Sequence, residues 1–199
     1  VWTASTIDAA RPGGLALTDE MVAAAGLPSG ARVLDVGCGL GTVTAHLRER
    51  WGLDAMGVDA SERLLDAGHA QAPALALIQA WGGQLPVADG SFDAVLAECS
   101  LSLLPDIDGA LDEFRRVLKP RGKLLWADIF VRSAAAQAQE RPFRPVSCLE
   151  GALTWGQIEA RLGAHAFDID AWEDRSPEVK VFAARLILAG ISPLEFWGG

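Results

Sequence analysis

The stretch that most constrains this chain is residues 31–44, Ala-Arg-Val-Leu-Asp-Val-Gly-Cys-Gly-Leu-Gly-Thr-Val-Thr. An apolar run of strand character enters a turn carrying Gly37, Gly39 and Gly41, and a helix-forming stretch follows. Without a Cβ, the backbone can bend sharply there and approach a ligand closely. The helix opened by the turn points its free N–H groups back at that ligand. Dinucleotide folds space the glycines Gly-x-Gly-x-x-Gly, with a pyrophosphate on the helix N-terminus. Here the third glycine comes one residue earlier, and Asp35, two residues before Gly37, would repel a phosphate. A carboxylate at that place suits a ligand carrying an amine or another positive group.

The rest of the chain sets this unit in an alternating pattern. Strands are expected over 33–36, 55–58, 74–79, 93–98 and 123–130, and helices over 42–51, 61–69 and 107–118. Thr18 is expected to cap an earlier helix, with Asp19 and Glu20 in its first turn, and Ser61 to cap the helix holding Glu62. The Lys119-Pro120-Arg121-Gly122 run reads as a turn. Strict alternation demands a parallel sheet with helices on both faces and right-handed crossovers. The fold class is therefore α/β, a three-layer, doubly wound, mostly parallel sheet. The first and fourth strands are expected side by side, at the switch point where such sheets bind ligands. Beyond residue 130 the pattern loosens. Residues 131–150 read as a lid-like insertion, 155–162 as a helix, 166–170 as a sixth strand and 176–190 as an amphipathic helix.

The 199 residues suffice for one domain, with a segment 1–29, a core 30–130, an insertion with its helix 131–165 and a terminal part 166–199. The net charge of −9 argues against a nucleic-acid surface, which needs a clustered basic face. The cluster Arg115, Arg116, Lys119, Arg121 and Lys123 reads instead as cations at the negative end of a helix dipole. Cys38, Cys99 and Cys148 are odd in number and widely spaced, which fits a reducing cytoplasm better than a disulfide framework. No run approaches the roughly 20 apolar residues of a membrane span. No signal peptide is visible, and the start at Val1 without Met is what a trimmed leader would leave. Tyr, a common general base, is absent.

Asp59 ends the expected second strand, about 20 residues past the glycine turn, where a carboxylate either accepts ribose hydroxyls or serves as an acid at the helix N-cap beside Ser61. The next stretch is the most specific: Gln84-Leu85-Pro86-Val87-Ala88-Asp89-Gly90-Ser91-Phe92-Asp93-Ala94-Val95. Together with the glycine turn and Asp35, it resembles the class I S-adenosylmethionine-dependent methyltransferases of the small-molecule type. Residues 110–122, ending Leu-Lys-Pro-Arg-Gly, resemble the same family's helix before its fifth strand, with Arg121 in place of a glycine. The resemblance covers about half the chain, residues 30–130.

It implies S-adenosylmethionine as methyl donor and S-adenosylhomocysteine as product. The cofactor would lie on Asp35, Gly37, Cys38, Gly39, Gly41, Asp59 and Ala60, with Glu98 near the methionine ammonium. Trp81 stands where relatives often place an Asp against adenine. Either Trp81 stacks on the base, or Gly82 offers its N–H, or Trp81 simply packs. The loop Glu98-Cys99-Ser100-Leu101-Ser102 would face the methyl group and acceptor. It lacks the Asn/Asp-Pro-Pro-Tyr run of amino methyltransferases, which disfavours the exocyclic amine of a base.

In-line displacement at a sulfonium carbon needs alignment and exclusion of water. Candidate bases are Glu98 and Asp128, the latter reading equally as a buried, hydrogen-bonded group; His46 and His69 read as helix-surface residues. Arg11 suits an anionic substrate or the cofactor carboxylate. Cys99 and Cys148 either hold a soft, thiol-seeking acceptor or are small apolar packers. No metal site is expected.

Two rivals remain open: a nicotinamide-dependent oxidoreductase and a non-catalytic methyltransferase-like subunit. Members of the resembled family finish with an antiparallel strand pair. Here the seventh strand is missing or replaced by a helix. The apolar tail with Phe196 and Trp197 would pack on the sheet edge or on a partner, which points to a homodimer.

Overall fold

The computed structural model describes residues 11–133 and 147–198. Five strands, β1 (Arg32–Val36), β2 (Asp54–Asp59), β3 (Leu77–Gln79), β4 (Phe92–Glu98) and β5 (Leu118–Ala127), form one parallel sheet in the order β3-β2-β1-β4-β5. Chain direction along the sheet reverses between β1 and β4, so the expected switch point is present. Helices α1 (Gly14–Ala25), α2 (Thr42–Trp51), α3 (Glu62–Gln71) and α4 (Ile107–Val117) cover its faces.

Alternate residues of β1 serve opposite faces. Val33 packs with Val22, Val43, Leu47 and Ala94 under α1 and α2, while Leu34 packs with Val95, Leu111 and Phe114 under α4. A strand covered on both sides must be apolar at successive positions, which is why 33–36 reads as a continuous run. Full burial of each large side chain, such as Leu47 and Phe114, contributes about 1.5–3 kcal/mol.

Several boundaries differ from expectation. Helix α1 opens after Gly13, at φ 82°, so Thr18 lies inside the helix and caps nothing. Asp19 and Glu20 consequently fall outside the first turn. Asp19 Oδ1 instead accepts the Trp51 indole N–H at 2.6 Å and meets His46 Nε2 at 2.7 Å, tying α1 to α2. His46 is thereby drawn off the solvated face. Strand β3 is shorter than 74–79.

The Lys-Pro-Arg-Gly run does not end a helix before a later strand. Phe92 faces Leu118 and Ala94 faces Lys123, so residues 119–122 bulge out of β5, with Arg121 at φ 65°. Arg116 of the basic cluster donates to Glu113, Asp89 and the carbonyls of Leu85 and Val87, and Lys119 to Asp93.

Residues 166–170 are not a strand. The Phe167 N–H closes back on the Leu162 carbonyl at 2.9 Å, and Ala166 sits at φ 57°. Their period-two alternation comes from Phe167 packing on the core while Ile169 stays exposed. A small parallel pair that the sequence did not reveal, β6 (Phe130–Val131) and β7 (Leu153–Thr154), lies beyond β5. Helices α5 (Trp155–Ala164), α6 (Ser176–Leu188) and α7 (Pro193–Gly198) follow. Among the described residues no antiparallel strand closes the main sheet. Most of the expected lid, residues 134–146, lies outside the described residues.

The tail packs within its own chain. Phe196 and Trp197 stand 5.3 and 5.7 Å from the Phe182 ring of α6, not on the sheet edge. Among the described residues, no helix is long and apolar enough to cross a membrane.

Candidate active site

The glycine turn is pinned before it meets any ligand. The Gly37 and Cys38 N–H groups donate to the Val58 carbonyl of β2 at 2.8 and 3.1 Å. Gly37 sits at φ 81°, and a Cβ there would lie 2.4 Å from the Ser100 Cβ. Glycine is therefore required twice, by the dihedral and by contact with the loop after β4. Cys38 is buried, with Sγ 2.7 Å from where a Gly57 Cβ would lie. Burial pushes its thiol up, so Cys38 is a neutral packing residue beneath the turn.

Asp59 ties the next two pieces together. Its Oδ2 accepts the Gly39 N–H at 2.9 Å and its Oδ1 the Ser61 N–H at 2.8 Å. The Ala60 carbonyl accepts from the Gln79 amide at 3.2 Å. After β3, the Trp81 carbonyl takes the Gln84 N–H at 2.8 Å, folding residues 81–84 into a small bridge. The Trp81 side chain is 58% exposed. Gly82 lies against Leu104, with room for no larger residue unless that side chain shifts.

Two acids lie buried at the switch point. Asp35 accepts the Thr44 hydroxyl at 2.7 Å, and burial pushes its carboxyl up to about 7. Glu98 ends β4 beneath α1. Its Oε2 accepts from Arg11 Nη2 and from the Thr18 hydroxyl, both at 3.0 Å. Burial raises the Glu98 carboxyl, against the pull of Arg11. The same Arg11 nitrogen donates to the Thr18 hydroxyl at 2.6 Å and the Gly14 carbonyl at 3.1 Å. Thr18 and Thr44 were missed as site residues. Their signal, a hydroxyl on the helix face turned to a strand end, is legible only once the helices are placed.

The loop after β4 carries the remaining candidates. Cys99 stands at φ 51°, and its N–H donates to the Ala127 carbonyl at 2.8 Å. A left-handed non-glycine residue is uncommon and sets this loop apart. The Ser100 hydroxyl is buried and has no hydrogen-bond partner among the described residues. Asp128 accepts the Ser102 N–H at 2.9 Å, the Ser102 hydroxyl at 2.7 Å and the Ile129 N–H at 2.9 Å. Burial raises its carboxyl nonetheless. Cys148 packs against the Phe182 and Trp197 cluster and lies close enough to Cys99 and Asp128 for their charges to act on one another. Burial pushes both thiols up.

The structure thus gathers Arg11, Asp35, the glycine turn, Asp59, Glu98, Cys99, Ser100, Ser102 and Asp128 at the carboxyl ends of the strands. His165 is elsewhere, paired with Asp112 and Asp108, which raise its pKa against the opposing effect of burial.

Residues 34–126 match a family model described as a methyltransferase domain. The methyltransferase GfsG of Streptomyces halstedii is 34% identical over 134 residues, 64% of this chain and 48% of that protein. An arsenite methyltransferase of Aquipseudomonas alcaligenes is 33% identical over 156 residues, 71% of this chain and 45% of that protein. The solved phosphoethanolamine N-methyltransferase 2 of Haemonchus contortus, in complex with S-adenosyl-L-methionine, superposes with a TM-score of 0.72 at 22% identity, over 96% of this chain and 50% of that one. The chain spans about half the length of these curated relatives.

Proposed function

We propose that this chain, whose residues 34–126 match a methyltransferase domain, is a Rossmann-like methyltransferase that moves a methyl group from S-adenosylmethionine to a small-molecule acceptor. The observation that carries this is the pairing of Asp59 with the glycine turn, one strand away from two buried acids at the β1–β4 switch point. A ribose carboxylate and an anionic recess for positive charge are what an adenosyl sulfonium amino acid needs. The buried Ser100 hydroxyl beside Gly37, without a partner among the described residues, fits a ligand group in the same cleft.

When bound, the cofactor supplies an electrophilic methyl carbon on sulfur. The chain's own work is placement. Asp59 holds the ribose, Trp81 offers a flat face to the base, and the turn's glycines, having no Cβ, let the ligand come close to the backbone. Asp35 and Glu98 favour positive charge between β1 and β4. The loop 98–102 sets the acceptor's approach and keeps water out, so displacement proceeds in line. No residue need form a covalent bond.

Calorimetric titration with S-adenosylmethionine, S-adenosylhomocysteine and NAD tests this. Binding of the first two with submillimolar affinity supports it; heat with NAD alone turns the reading to an oxidoreductase. Cofactor binding without turnover across a broad acceptor panel turns it to a non-catalytic subunit.

A finer reading concerns the acceptor. The proximity of Cys99 and Cys148 beside Asp128 favours a soft, thiol-seeking atom, and one relative is named an arsenite methyltransferase. Turnover by C99S and C148S variants on arsenite, a thiol and a hydroxyl acceptor decides. Selective loss on the soft acceptors supports the pair; unchanged turnover on all three overturns it.

A further inference from the structure

We propose that the outer face of α6 is a self-association surface, on which a second copy of this chain docks about a two-fold axis. None of its residues belongs to the site described above.

Helix α6 is apolar on two opposite faces. On one, Phe182 and Leu186 are buried, with Val179 and Ala183 beside them, and they pack against Cys148, Phe196 and Trp197. At about 100° per residue, Pro177, Val181, Ala184 and Leu188 fall on the other face, at i, i+4, i+7 and i+11. All four are exposed. Leu188 is 88% exposed and Val181 45%, while Ile187, at the edge of the stripe, is 62% exposed. Single apolar residues scattered on a surface need no explanation, but a contiguous stripe marks an interaction site. A helix that only covered the tail would carry polar side chains there.

The charges beside the stripe identify the occupant. Glu178 and Arg185 share one flank, about two turns apart. When two copies of one helix pack antiparallel about a two-fold axis, each flank meets its own counterpart. Setting Val181 against the partner's Ala184, and Pro177 against the partner's Leu188, brings Glu178 within about 3 Å, along the axis, of the partner's Arg185. Two equivalent ion pairs then close one side of the stripe. Lys180 lies on the other flank, where its stem covers apolar surface and its ammonium reaches water. Phe196 and Trp197, turned inward on Phe182, take no part. From Pro177 to Leu188 the stripe runs about 16 Å. It offers far fewer side chains than the roughly 20–30 a side of a standard interface, so the dimer is weak, with a dissociation constant of about 10–100 μM.

Sedimentation velocity over protein concentrations that bracket this value tests the surface, with the folding of every variant checked by thermal melting. Wild type should pass from monomer to dimer and no further. V181E and L188E should stay monomeric over the same range. The charges make the sharper test. E178R sets Arg against Arg in its own pair and R185E sets Glu against Glu, so each alone should associate about 5-fold or more weakly than wild type. An equimolar mixture of the two restores both opposite-charge pairs and should dimerise more strongly than either variant alone. A wild type that is monomeric throughout, or that grows past the dimer, overturns the inference, as does an L188E that dimerises like wild type. A mixture no better than its components overturns it too, since the face then takes some other partner.

Discussion

The Asp59 carboxylate accepts the Gly39 amide hydrogen at 2.9 Å, joining the end of β2 to the middle of the glycine turn. Its other oxygen holds the Ser61 N–H at the entry to α3. The residue offered for ribose binding thus also builds the turn the ribose approaches. D59A should raise the dissociation constant for S-adenosylhomocysteine by about 30-fold or more and also lower stability by about 1–2 kcal/mol, since two backbone donors lose a charged acceptor. D59N, which keeps one acceptor oxygen, should recover part of the stability and little of the affinity. Titration calorimetry beside urea unfolding separates the two effects. Lost affinity at unchanged stability in D59A would deny Asp59 its building role.

The contact of Gly37 with Ser100 makes a reciprocal prediction. G37A places a Cβ 2.4 Å from the Ser100 Cβ and adds a side chain at φ 81°. The cost should be about 2–4 kcal/mol, strain and collision together. S100G opens the space but leaves the dihedral strained, so the double variant should regain only part of that loss. Full recovery, or none, would show that one of the two terms is absent.

These contacts also show where sequence reasoning stops. The strands of the core, the helices after them and the neighbouring of the first and fourth strands were legible because apolar runs of period one and glycine-marked turns are local properties of the chain. The turn and its acids were legible for the same reason, all lying within residues 35–59. Thr18 was not: a threonine before two acids has the composition of a helix cap, and only the packing of α1 on β4 shows its hydroxyl spent on Glu98. Residues 166–170 misled in the opposite sense. Phe167 and Ile169 alternate with acids as in a half-buried strand, but a strand also needs a neighbour, and sequence alternation does not supply one. The bulge at 119–122 hid because its Pro and Gly read locally as a chain reversal, while the pairing of Lys123 with Ala94 is a long-range fact.

The burial of Asp35 predicts a pH dependence opposite in sign to that of most aspartates. Its carboxyl titrates near 7 when folded and near its ordinary value of 3.8 when unfolded. Between those values the folded state keeps a proton that the unfolded state has released. Stability from this group therefore falls as pH climbs from about 4 to 7, by on the order of 2–4 kcal/mol, and the loss is complete above 7. Asp19, Asp93 and Glu113, held low by their partners, act in the other direction below about pH 4. The difference between wild type and D35N isolates the Asp35 part. D35N should gain stability over wild type between pH 5 and 8, as read from midpoints in urea. A difference that does not change with pH would mean that water reaches the carboxyl.

Asp128 is the residue whose expected chemistry its geometry most restrains. Its oxygens accept from both donors of Ser102 and from the Ile129 N–H, so the carboxylate closes the loop that carries Cys99 and Ser100. A general base must have an oxygen free to face the substrate proton within about 2.6–3.2 Å. D128N replaces one acceptor oxygen with a donor and sets that donor against an N–H or O–H already committed. The expected result is a loss of about 1–3 kcal/mol of stability. If Asp128 only holds the loop, kcat should fall severalfold with its pH profile unmoved, and D128E, which keeps both oxygens on a longer arm, should restore part of the rate. A base would behave differently: kcat in D128N would drop by a factor of 100 or more, and the acid limb of the profile would disappear. Measuring kcat against pH in both variants, alongside their unfolding midpoints, assigns Asp128 to one role or the other.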